Sequence, residues 1–98
     1  MKYILSLAFV IGASAAQAEV IERACISSER SGGNRSLCGC IQDAADMTLT
    51  GSDQQLAARF FSKPDLAQQI RQSGVRKHEI FWQRYRAFGE TAEAFCRS

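Results

Sequence analysis

The stretch SLCGCIQDAADMT, residues 36–48, decides the fold. Leu37, Ile41, Ala44, Ala45 and Thr48 recur three and four residues apart, which places them on one face of an α-helix, with Ser36 read as its N-cap. The same stretch carries Cys38-Gly39-Cys40. At ~100° per residue the two sulfurs project about 200° apart and flank the apolar stripe on opposite edges. They should not bond each other, and each faces a different neighbour.

Two further cysteines lie outside the stretch, Cys25 before it and Cys96 near the C-terminus. Four cysteines allow three pairings. The apolar edge carrying Cys40 continues through Met47, which favours Cys25 with Cys38 and Cys40 with Cys96; Cys25 with Cys40 and Cys38 with Cys96 stays open on sequence alone. By loop entropy the short bridge contributes about 3 kcal/mol and the long one about 4. Such staples matter in a small domain, whose core alone is marginal.

Residues 1–18 read as a cleaved export signal. Lys2 gives the positive start, Tyr3 to Gly12 an apolar stretch, and Ala16-Gln17-Ala18 the small-residue cleavage site. Cleavage would leave a single helical domain, residues 19–98, in the periplasm or secreted. Gly12 and Ser14 interrupt the apolar run short of the ~20 residues that span a bilayer, so no stable membrane insertion is expected after cleavage. The oxidising compartment fits a disulfide role for Cys25, Cys38, Cys40 and Cys96.

Charge is close to balanced. The full chain carries a formal +2, and loss of Lys2 reduces it, which gives no electrostatic case for nucleic acid. Nine of the twelve basic residues are Arg, and Arg71, Arg76, Lys77, Arg84 and Arg86 crowd the segment after Pro64. Asp65 to Arg86 has the outline of a helix-turn-helix with a basic second helix, but an exported protein does not meet operators.

Helix signals dominate the remainder. Glu19 to Ser28 makes a short first helix, ended by the Ser-Gly-Gly-Asn loop at 31–34. Ser52 with Gln55, and Ser62 with Asp65 around Pro64, read as capping boxes that start two short helices bent at Lys63-Pro64. These bury Leu56, Phe60 and Phe61, then Leu66 and Ile70, and Ser73-Gly74 closes the second. A long helix follows from Val75 to Phe88, and after Gly89 a last turn or two carries Ala92, Phe95 and Cys96. The fold class is all-α: a disulfide-stapled bundle of four to five short helices.

Chemistry-bearing groups are sparse. His78, Phe81, Trp82, Tyr85 and Phe88 cluster on one broad helical face, with Lys77 and Arg84 on one flank and Arg86 on the other. Phe81 and Phe88 read as core. Trp82, Arg84, Tyr85 and Arg86 read as a contact surface, with both Arg solvated, suited to an envelope protein or a small planar or anionic ligand. His78 has no evident Ser or Cys partner and reads as a surface residue. No metal is expected, because cysteines two apart on a helix cannot easily share one ion, and no cofactor or enzymatic activity is implied. The rival reading is a thiol-disulfide redox protein using Cys38 and Cys40, against which stands the absence of a strand-helix C-x-x-C setting.

The blocks Arg23-Ala24-Cys25, Arg35 to Gln42, Ser52 to Ala57 with Phe60-Phe61, and Phe81-Trp82 through Tyr85, Phe88-Gly89 and Cys96 together resemble a family of short exported bacterial proteins whose members often carry the label "arginine transporter". The likeness spans nearly all of the chain after residue 18, and Cys-Gly-Cys with the terminal Cys is its most specific part. It implies a shared small fold and assigns no activity to any position. Transport would need a spanning segment that the cleaved chain is not expected to have. The reading as a whole is a periplasmic binding or interaction module without catalysis.

Overall fold

Five α-helices make up the computed structural model, which describes residues 19–28 and 32–97 and has no strand among them. They are α1 (Val20–Ser27), α2 (Arg35–Thr48), α3 (Gly51–Ser62), α4 (Pro64–Arg71) and α5 (Arg76–Phe95). The export signal expected at residues 1–18 lies outside the described residues. So does Ser31 of the expected loop.

Side chains cap α2 and α3 and a proline opens α4, and several of those starts differ from the sequence reading. Asn34, not Ser36, caps α2: its Oδ1 accepts the Leu37 N–H at 2.9 Å, so Ser36 falls inside the first turn. The capping box of α3 sits two residues earlier than Ser52/Gln55. Asp53 N–H donates to Thr50 Oγ1 and Thr50 N–H donates to Asp53 Oδ2, both at 3.1 Å. Thr50-Gly51-Ser52-Asp53 fits the same pattern as Ser52 to Gln55, and the tertiary partner of Asp53 described below favours the earlier frame. Ser62 is the last residue of α3 rather than a cap; its hydroxyl donates to the Arg59 carbonyl at 3.4 Å. Pro64 takes the first position of α4, where its missing N–H costs nothing, and the expected bend at Lys63-Pro64 is present.

The last helix runs on. The expected break at Gly89 does not occur, and α5 continues for 20 residues to Phe95. Its start follows Gly74, whose φ of +74° is the left-handed conformation that glycine takes without a Cβ penalty. Glycine here turns the chain from α4 into α5.

One core joins the five helices. Ile21 of α1, Ala44 and Ala45 of α2, Phe60 of α3 and Phe81 and Phe88 of α5 are all buried in it. Ile70 is buried at the end of α4, as the pattern predicts, while Leu56, Phe61 and Leu66 are half-buried at the edge. α1 packs on α2 and α3, and α5 packs on α2 with lighter contact to α4 and α3. A buried polar knot ties three of them. Gln42 Oε1 accepts the Glu22 N–H at 2.8 Å, Gln42 Nε2 donates to Gln54 Oε1 at 2.8 Å and Asp46 Oδ1 at 2.9 Å, and Gln54 Nε2 donates to Asp46 Oδ1 at 3.2 Å. α1 has no cap of its own at Glu19, so the Gln42 side chain supplies the acceptor its first turn lacks.

Candidate functional site

The four cysteines form two bridges, Cys25–Cys38 and Cys40–Cys96, with Cα separations of 5.6 and 5.7 Å. Of the two pairings that opposite edges of α2 leave open, this is the one favoured by the Cys40 edge continuing through Met47. Cys38 and Cys40 are thus not joined to each other, and their surroundings differ. Cys25 is 2% and Cys38 0% exposed in the seam between α1 and α2, while Cys40 and Cys96 are partly exposed where α5 ends. Disulfides form where thiols can be oxidised, which is the coarse statement about compartment that the bridges carry. Among the described residues no helix is long and apolar enough to cross a membrane.

Of the four aromatic and Arg positions singled out in the sequence, Trp82 and Tyr85 come together in one aromatic cluster. Tyr85 is the hub of the aromatic cluster, with ring centroids 5.2 Å from Phe60, 5.6 Å from Phe81, 5.1 Å from Trp82 and 5.7 Å from Phe88. Phe60 meets both Phe81 and Tyr85 edge-on, the favoured geometry for packed rings. Trp82 and Tyr85 are half-buried and Arg86 is exposed beyond them.

Arg84 corrects the sequence reading. It is not simply solvated: its Nε donates to Asp53 Oδ2 at 2.5 Å and its Nη2 to Asp53 Oδ1 at 3.0 Å. The Arg84 side chain is 40% exposed and that of Asp53 only 7%, so the guanidinium covers a buried carboxylate. Burial alone would push the Asp53 carboxyl up; the hydrogen bonds from Arg84 and from Thr50 outweigh it and hold Asp53 below its ordinary value. The same pair raises Arg84. One aspartate therefore caps α3 and fastens α5 to it, a double duty that no local motif announces.

His78 does have a partner. Ser73 Oγ lies 2.7 Å from His78 Nδ1 and accepts the Val75 N–H at 3.2 Å. The serine hydroxyl so placed completes the start of α5, whose N-cap Val75 has no side-chain acceptor of its own. The pair is local, five residues apart, on the surface between α4 and α5. Among the described residues no group of three His, Cys, Asp or Glu could hold a metal ion.

An apolar groove that the sequence did not single out lies between α2 and α5. Cys40, Asp43, Ala44 and Met47 line it from α2, and Thr91 and Phe95 from α5, around a space of about 230 Å³. Met47 is 65% and Phe95 72% exposed, a large amount of water contact for two apolar side chains that line one groove. Asp43 is its one charged lining residue. Cys40, which lines the groove, is bonded to Cys96, and Cys40, Ala44 and Met47 follow one line of α2 at helical spacing. No protein-family model, curated protein or solved structure matches the chain.

Proposed function

We propose that the protein is an exported, non-catalytic interaction module of the periplasm or secreted space, and that its contact surface is the groove between α2 and α5. The carrying observation is the pair of exposed apolar side chains, Met47 and Phe95, over a cleft braced by a disulfide. Bracing lowers the ordering cost that binding would otherwise incur. The occupant that fits is an apolar segment of an envelope protein with a basic residue beside it, the apolar part against Met47 and Phe95 and the basic group against Asp43. The groove replaces the Trp82, Arg84, Tyr85 and Arg86 surface in this reading, because Arg84 is committed to Asp53 and lies on the other flank of α5 from Trp82 and Arg86.

A photo-crosslinking side chain placed at Met47 is expected to capture a defined envelope protein, and one placed at exposed Gln83 on α5 is not. Capture that is equal from both positions, or that survives Phe95→Asp, would remove the groove from the proposal.

A further inference from the structure

The two bridges differ in what can reach them. Thiol-disulfide exchange needs an incoming thiolate to approach one sulfur in line with the S–S bond while the other sulfur leaves. Cys25 and Cys38 have almost no surface, so attack there requires α1 to part from α2 first. Cys40 and Cys96 are partly exposed, and Cys96 is the residue that follows the last turn of α5. Access alone separates a permanent staple from an addressable one.

The surroundings of the second bridge favour its opening in another way. Cys40 Sγ lies 3.5 Å from the Phe95 carbonyl oxygen. In the bridge that sulfur carries no proton, so the contact is not a hydrogen bond; once released and protonated, the Cys40 thiol has an acceptor already in place. That carbonyl is one of those left without an intrahelical partner at a helix C-terminus. Opening would also be local. α5 is held through Phe88 by the aromatic cluster and the Asp53–Arg84 pair and one turn further by Ala92 against the core, whereas Glu93, Ala94 and Phe95 are exposed and only the bridge ties that end covalently to α2.

We propose that Cys40–Cys96 is a thiol-disulfide exchange site, entered across the Met47–Phe95 groove by a cysteine-bearing apolar segment of a partner protein that supplies two thiols. The proposal rests on the groove reading for its choice of partner. One partner thiolate attacks Cys96 Sγ, forming a mixed disulfide and expelling the Cys40 thiolate, which takes up a proton. The partner's second thiolate then attacks the partner sulfur of the mixed disulfide and expels the Cys96 thiolate. The partner is oxidised to a disulfide, and this chain is reduced by two electrons at one bridge. Thr91 and Phe95 form one wall of the groove, so release of the α5 end reshapes the surface the partner occupies. Binding and redox state are thereby coupled.

The test is graded reduction of the full mature chain by dithiothreitol, quenched with an alkylating maleimide and mapped by peptide. The expected product is a species alkylated only at Cys40 and Cys96, with faster amide exchange at residues 90–97 and retained protection at 79–88. Alkylation of Cys25 and Cys38 first, or of all four together, overturns the exchange site. A second measurement compares two synthetic dithiol peptides, one with apolar residues beside its cysteines and one with polar residues. The apolar peptide is expected to open the bridge about tenfold faster, an advantage lost in M47S/F95S. Selective opening at equal rates for the two peptides would keep the exchange site and remove the groove, so the two failures are distinguishable.

Discussion

The two ends of α5 are one helix held by opposite means. From Phe81 to Phe88 it is fixed by many weak contacts, four rings around Tyr85 and a bidentate ion pair, none of them sufficient alone. Beyond Ala92, its last residue packed on the core, Glu93, Ala94 and Phe95 are exposed and one covalent bond from Cys96 brings the end to α2. Distributed packing resists any single chemical event, while a single bond can be cut by one. The lesson is that a continuous helix can carry a fixed half and an addressable half, with the boundary in the turn from Gly89 to Ala92 and no break in the backbone to mark it.

The hardest blow to that contrast is a cavity in the fixed half. Phe81→Ala removes a ring that packs on Phe60 and Tyr85, and is expected to cost about 3–5 kcal/mol. In a domain this small that is much of the total stability, so urea unfolding should show a large fall in midpoint with residues 76–97 losing protection together. A loss below about 1 kcal/mol would mean that the core does not fix this half.

A smaller effect is expected at the ion pair. Arg84→Ala leaves Asp53 buried with only the Thr50 contacts, and is expected to lower the urea midpoint at neutral pH by less than Phe81→Ala does. The sign with pH follows from the lowered Asp53 carboxyl. Its contribution is complete above the ordinary carboxylate range near pH ~4 and is lost as pH falls through the lower folded value. The stability difference between the native chain and Arg84→Ala should therefore shrink below pH ~4, and a difference that stays constant or grows on acidification would show that Asp53 does not carry it.

The smallest effect has the opposite sign and probes the boundary itself. Gly89 has a helical backbone, and a Cβ added there would meet nothing within 4 Å. Gly89→Ala is thus expected to stabilise by about 0.5–1 kcal/mol, read as a raised melting temperature. If it destabilises, the two halves of α5 articulate at that glycine, and the helix is not continuous in solution.

The all-α class and the helical segments were legible because helical periodicity is local, and the absence of a Cys38–Cys40 bond because the two fall on opposite edges of one helix; the choice between the two remaining pairings had only the Met47 edge behind it. The core positions Phe60, Ile70, Phe81 and Phe88 followed from the same spacing. Cap frames were harder: Thr50-Gly51-Ser52-Asp53 and Ser52-Asp53-Gln54-Gln55 satisfy one local pattern two residues apart, and only the reach of Arg84 across 31 positions separates them. Gly89 misled because a glycine's low helix propensity, about 1 kcal/mol, is outweighed when Phe88 and Ala92 on either side pack on the core and Cys96 is bonded. The groove needed two helices brought together, and its sequence signal was faint: Met47 continuing the Cys40 edge, and Phe95 next to Cys96.

The Gln42 amide bears on the register of α1 along α2. Gln42 and Cys38 stand one helical turn apart on α2, and α1 is gripped at both points, at Glu22 N–H by the amide and at Cys25 by the sulfur. The amide, itself pinned by Gln54 and Asp46, sets where α1 begins along α2. With that position set, Cys25 faces Cys38 and not Cys40, two residues further on. The register that seats Cys25 against Cys38 is thus held at two points, by a neutral amide as well as by the bridge itself, and loss of the sulfur bond alone leaves one of the two in place.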